Sequence, residues 1–164
     1  MIAKGDEIPQ NLSMENDSLR DYLYDHIPLT RAMKIEIGDV SLSSLSLYAP
    51  IAPNINHRET VFGGSASALC ILSAWSFIHC RLKQHPEIVP QIVIQRNSME
   101  YLKPVLGEFK ATCSPASEKD WAFLLKSLAR KKIGRIRLSS QLTFEGELAG
   151  TFEGTFVVSD MSAE

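Results

Sequence analysis

Cysteine is scarce. Cys70, Cys80 and Cys113 are the only three in 164 residues, odd in number and without metal-ligand spacing. This argues against a disulfide framework or a zinc module and fits the reduced thiols expected of a cytoplasmic protein. An excess of charge of one sign is missing too. A net charge of -2, with 22% charged and 45% hydrophobic residues, is ordinary globular composition. It offers nothing to a general nucleic-acid binder or a membrane-surface protein. The longest apolar run, Ala66 to Ile78, is interrupted by Ser67, Ser73 and Ser76. That is too short and too polar for a membrane span. The opening "MIAKGDEIPQNLSMEND" has no apolar h-region, so no signal peptide is expected. Internal repeats, low-complexity tracts and glycine-rich phosphate loops are also lacking. The length suits a single domain over residues 16–164, with residues 1–15 as a polar leader, disordered or loosely packed.

What is present has clear periodicity. "NDSLRDYLYDHIPLT" spaces Leu19, Tyr22, Leu23 and Ile27 as a short helix, capped by Asn16 or Asp17 and interrupted at Pro28. "MKIEIGDVSLSSLSLYAP" alternates as a strand with a bend near Gly38-Asp39. From Gly64 to about Lys83 nothing breaks a helix, and its apolar residues cover most of the circumference, so it is buried on most sides. Pro86 and Pro90 end it. "QIVIQRNSMEYLKPV" and "GEFKATCSPASE" read as strands, and "KDWAFLLKSLARKKIG" as a helix with Trp121, Leu124, Leu125 and Leu128 on one face. "RIRLSSQLTFEG" and "ELAGTFEGTFVVSD" alternate around a Glu145-Gly146-Glu147 hairpin turn. The expectation is an α+β domain in which an antiparallel sheet wraps one long central α-helix.

The stretch "PNINHRETVFGGSASALCILSAWSFIHCRL" leads a polar loop through a Gly-Gly pair into that helix. The first turn of a helix has amides without intrahelical partners, and its dipole favours negative charge there. Glycines allow a bulky ligand to approach that backbone. The loop asparagine Asn56 can donate to one oxygen and accept from water, or simply bond its own turn. Asn54, after Pro53, is already a good turn residue.

The chain resembles the hot-dog fold thioesterases. "NINHRETVFGGSASALCILSAW" matches their Asn-rich loop running through Thr-x-[His/Phe]-Gly-Gly into the central helix. "IVIQRNSMEYLKPV" with "GEFKATC" resembles the next two strands, and "ARKKIGRIRLSSQLTFEGELAGTFEGTFVV" the last two. The likeness spans residues 31–158 and is strongest to the thioesterase domain of the YiiD C-terminal type, found in some proteins behind an acetyltransferase domain. It implies hydrolysis of an acyl-CoA or acyl-carrier-protein thioester, with coenzyme A as part of the substrate and no further cofactor or metal. It implies a homodimer or dimer of dimers, with sites between subunits and neither nucleic acid nor membrane as partner. Amides at Gly64 and Ser65 would stabilise the oxyanion, and Asn56 would orient water or thioester. Asn54, His57, Thr60, Phe62 and Gly63 would contact substrate. Arg130, Arg135 and Arg137, with Lys131 and Lys132, would hold the coenzyme phosphates or else form a solvated basic surface.

Two departures stand out. Phe62 occupies the position before Gly-Gly where many relatives carry His, and "SASALCIL" holds no helix carboxylate to act as base. His57 and Glu59 are loop substitutes for that base, each also readable as a solvated side chain. Asp39 or Glu100 of a second copy are the others. Cys70, on an apolar helix, reads as a buried inert thiol. The missing carboxylate leaves a non-hydrolysing acyl-thioester-binding module as the alternative. A structural oligomerisation domain is a third class, against which the retained Asn56 and Gly63-Gly64 argue.

Overall fold

The computed structural model describes residues 12–114 and 117–162. Most of the expected leader, residues 1–11, lies outside them. Helix α1 (Leu12–His26) starts ahead of the Asn16–Asp17 cap read from the sequence. Asn16 instead donates its Nδ2 to the Gly38 carbonyl at 3.2 Å. Pro28 opens the short α2 (Pro28–Ala32), where its missing N–H has no helical partner to lose.

The single bent strand expected before the central helix is two strands. β1 (Glu36–Val40) and β2 (Leu45–Ala49) pair antiparallel. The chain reverses at Ser41–Ser44 rather than at Gly38-Asp39. The Ser41 hydroxyl accepts from the amides of Ser43 and Ser44 at 3.2 and 3.0 Å, and the Ser41 N–H donates to Ser44 O at 2.9 Å. A serine side chain here closes the turn without glycine or proline.

Helix α3 (Gly63–Leu82) begins one residue earlier than its pattern suggested. It is followed by β3 (Pro90–Tyr101), β4 (Phe109–Ser114), α4 (Glu118–Lys131), β5 (Ile133–Phe144) and β6 (Glu147–Asp160). The strands form one antiparallel sheet in the order β1-β2-β4-β5-β6-β3. Glu145 and Gly146, both at positive φ (50° and 77°), join β5 to β6 as the two-residue turn that matches strand twist. Register shifts at Ile37/Val40, Ile94/Arg96 and Leu142/Thr143 bend the strands, as bulges do, and help the sheet curl.

The curled sheet wraps α3. Leu69, Cys70, Phe77 and Ile78 of the helix are fully buried in one core with Leu47, Phe109, Leu138, Phe152 and Phe156 of the strands. By length and composition α3 could cross a membrane, but ten of its residues are buried by the rest of this fold. Helix α4, capped by the Ser117 hydroxyl on the Asp120 amide at 3.1 Å, inserts Trp121, Leu124 and Leu128 beside it. The Arg81 guanidinium lies 4.4 Å from the Trp121 ring and pairs with Glu118, tying α3 to α4. At the other end of the chain Asp160 accepts from Lys132 Nζ at 2.8 Å and from the amides of Val89 and Ser162, each at 3.0 Å. Those contacts, Lys132 first, hold its carboxyl well below the usual range.

Helix α1 meets α3 through stacked rings. Tyr22 lies 4.0 Å from His26 and 4.8 Å from His79, which lies 4.9 Å from Trp75. Burial, then Lys83 and His26, pulls His79 down to about 4. The lowered value means that the fold favours neutral imidazole. That stability is complete above the ordinary histidine value near 6.5 and is lost as pH falls from there towards 4. His79→Phe keeps the stack and removes the titration. The wild type should lose more thermal stability than this variant between pH 7 and 4.5, and parallel melting curves across that window would rule out the effect.

Candidate functional site

The start of α3 is where the sequence motif becomes geometry. Phe62 is the N-cap residue, extended at φ -60° and ψ 132°, and its side chain makes no cap hydrogen bond. Ala66 is the residue whose amide first reaches back into the turn, donating to Phe62 O at 3.0 Å. The amides of Gly63, Gly64 and Ser65 precede it and point beyond the helix end, as first-turn amides do. Phe62 N donates to Asn54 O at 2.7 Å and Val61 N to Val105 O at 2.8 Å, so the approach to the helix is pinned on two sides. Beside it opens a cleft of about 330 Å³. Its wall includes Val61, Ala66, Val105, Leu142 and Ala149, and its rim includes Thr60, Gly63, Tyr101 and Lys103. Lys103 is paired with Glu147.

The loop asparagines are occupied. Asn56 Nδ2 donates to Thr60 Oγ1 at 2.8 Å, and its Oδ1 accepts from the amides of Arg58 (2.8 Å) and Thr60 (3.2 Å). Its backbone N–H donates to Thr60 O at 2.8 Å, closing a loop in which Glu59 takes positive φ (60°). Asn54 is buried at 2% exposure. Its Nδ2 donates to Pro50 O (2.8 Å) and Met33 O (3.0 Å), and its Oδ1 has no hydrogen-bond partner among the described residues. Both asparagines therefore shape the approach to α3, in the manner of turn residues. His57 is exposed at the loop tip and Thr60 is half-buried at the cleft.

Phe62, Gly63, Gly64 and Ser65 are thus brought together with Thr60. The basic residues are not brought to them within one chain. Arg130 is exposed in the last turn of α4. Arg135 donates to Gln95 Oε1 at 3.1 Å and Arg137 pairs with Glu153, all exposed. Arg137 stands opposite Thr155 and Arg135 opposite Val157, whereas Tyr101 stands opposite Gly150. At about 3.3 Å per residue that is roughly 17–23 Å along β6. Cys70 is fully buried, and burial pushes its thiol up to about 12, the opposite of what a nucleophile needs. Asp39 is exposed and pairs with Lys110, and Glu100 is exposed on β3.

One residue at the cleft was not among the site candidates read from the sequence. The Tyr101 hydroxyl donates to Gly63 O at 2.9 Å, and its ring faces the Gly63 Cα. Alternation from Ile92 and Ile94 would place residue 101 on the opposite face. The register shift between Ile94 and Arg96 moves it onto the helix side.

Residues 16–160 match the model of the family described as "Putative thioesterase (yiiD_Cterm)". The chain belongs to that family. Two solved structures align over nearly their whole length. A protein of unknown function from Chlorobaculum tepidum is 25% identical, with a TM-score of 0.84 over 90% of this chain and 96% of its own. A putative thioesterase from Shewanella oneidensis is 27% identical, with a TM-score of 0.78 over 88% and 97%. A thioesterase from Haemophilus influenzae shares the fold at 14% identity, with a TM-score of 0.70 over 89% and 91%. The six-stranded sheet around one helix is the hot-dog fold of these thioesterases.

Proposed function

We propose that the protein hydrolyses acyl thioesters of coenzyme A or of an acyl-carrier protein. The carrying observation is the uncapped first turn of α3, with two glycines in it, at the edge of an apolar cleft. Water adds to the thioester carbonyl and gives up a proton to the base. The oxygen that gains charge accepts from amides at Gly63, Gly64 and Ser65. Collapse of the adduct breaks the C–S bond and releases the thiol, which takes the proton back. Asn56 acts as a positioning residue, through the loop that it closes. The base comes from outside α3, which holds no carboxylate between Gly63 and Leu82. A second copy of the chain, paired along the outer edge of β3, would complete the site and could bring coenzyme-binding arginines closer. The cytoplasm is the compartment this reading assigns, in keeping with the absence of a disulfide among Cys70, Cys80 and Cys113.

The test is thiol release from acyl-CoAs of graded length, with wild type and Asn56→Ala. Removing the amide should cost about 1–2 kcal/mol of stability, because several loop hydrogen bonds go with it. It should raise KM more than it lowers kcat. A hundredfold loss of kcat with unchanged melting would instead put Asn56 on the attacking water. Saturable acyl-CoA binding without thiol release from any ester would favour the non-hydrolysing module, the reading supported by the missing helix carboxylate.

A further inference from the structure

The glycine pair has an aromatic ring on each glycine. A side-chain carbon at Gly63 would stand 3.4 Å from the Tyr101 ring, an ordinary contact. At Gly64 it would stand 3.1 Å from Phe62 Cδ1 and Cζ and nearer still to Cε1, so the Phe62 ring occupies the space a side chain would need. The two rings are held differently. Tyr101 is fastened by its hydroxyl to Gly63 O. Phe62 carries no polar anchor, and its side chain is exposed at 57%. Its backbone, by contrast, is held from both sides, by Asn54 O and by the Ala66 amide. The helix-end amides are set by that backbone, and the ring lies beside them, against Gly64.

We propose that the Phe62 ring is a steric barrier beside the first-turn amides, just outside the cleft, and selects acyl groups by their bulk at the carbon next to the carbonyl. This rests on the hydrolase reading above. An acyl oxygen that reaches the Gly64 amide brings its α-carbon alongside the Phe62 ring. An unbranched α-carbon slides past the ring face, and a branched one collides with it. A single methyl group in such a position is worth about 10–200-fold in kcat/KM. Phe62 is in this sense a specificity residue, and Gly64 is glycine because the ring lies against it.

The experiment has two arms on the full chain. In the first, kcat/KM is measured for propionyl-CoA and isobutyryl-CoA, which differ by one methyl group on the α-carbon. The wild type should prefer the straight chain by about tenfold or more, and Phe62→Ala should compress the ratio to about threefold or less. An unchanged ratio in Phe62→Ala, with activity retained, overturns the selection by Phe62 alone. No thiol release by the wild type from these, from longer acyl-CoAs or from acyl-carrier-protein esters sinks the hydrolase reading, and the selection with it. Release only from longer esters moves the same comparison to the shortest straight chain hydrolysed and its 2-methyl analogue. The second arm needs no turnover. Gly64→Ala should change the melting temperature of the wild type less favourably than that of Phe62→Ala, because the ring must turn aside for the new methyl. In the Phe62→Ala background it should raise it, because alanine without the ring simply favours the helix. The same shift in both backgrounds overturns the ring-against-glycine geometry.

Discussion

Phe77→Ala is expected to remove about 3–5 kcal/mol of folding stability, the usual cost of emptying a buried aromatic site. Phe77 is fully buried on the helix that the sheet curls around. The fold has few ways to close the space, because sheet and helix side chains already interlock around it and packed interiors relax only in part. The Arg81 guanidinium, 5.9 Å from the Phe77 ring, loses that neighbour as well. Domains of this size have about 5–15 kcal/mol in total, so the variant should retain only part of its cooperative transition at 37 °C. The denaturant midpoint measures the effect, and Phe123→Ala is the control. Phe123 lies on the exposed face of α4 at 67% exposure, and its truncation should change stability by less than about 0.5 kcal/mol. Equal shifts for the two variants would mean that α3 is not the centre of the core.

The contrast between those two phenylalanines shows how far the sequence could be read. The near-circumferential apolar pattern from Ala66 to Ile78 identifies the central helix, because only a helix buried on most sides tolerates it. Strict alternation in β5 and β6 gives their faces, and Glu145-Gly146 gives their turn. The β1–β2 hairpin was hidden because its turn is made by serine hydroxyl bonds in place of glycine or proline. The place of Gly63, Gly64 and Ser65 in the first turn of α3 was legible, because helix-end amides follow from sequence position alone. Tyr101 was not, since one bulged residue reverses the face of everything after it. Asn56 shows a different difficulty: residue type gives its donors and acceptors, but only the folded loop shows them already used by Arg58 and Thr60. For the arginines, clustering in the chain became separation in space, because α4 ends where β5 begins and alternation then carries Arg135 and Arg137 away along the outer face.

The amide cradle can be tested atom by atom, because one of its donors is removable without disturbing the helix. Gly63→Pro deletes the first helical N–H, and three features of this chain make the change tolerable. Proline is favoured at the first helical position. The residue before it, Phe62, is already extended at φ -60° and ψ 132°, the conformation that proline requires of its predecessor. The space at Gly63 is bounded by the Tyr101 ring at 3.4 Å, enough for a ring carbon in ordinary contact. Gly64→Pro lacks the second advantage, because Gly63 before it is helical. Gly63→Ala is the matched control: it adds a carbon in the same place and keeps the N–H. If this amide donates to the developing oxyanion, the proline variant should lose about 100–1,000-fold in kcat relative to the alanine variant, with similar melting temperatures. Equal kcat in the two would move the oxyanion to the Gly64 and Ser65 amides. A loss shared by both would instead trace the defect to crowding against Tyr101, leaving the amide without a part in it.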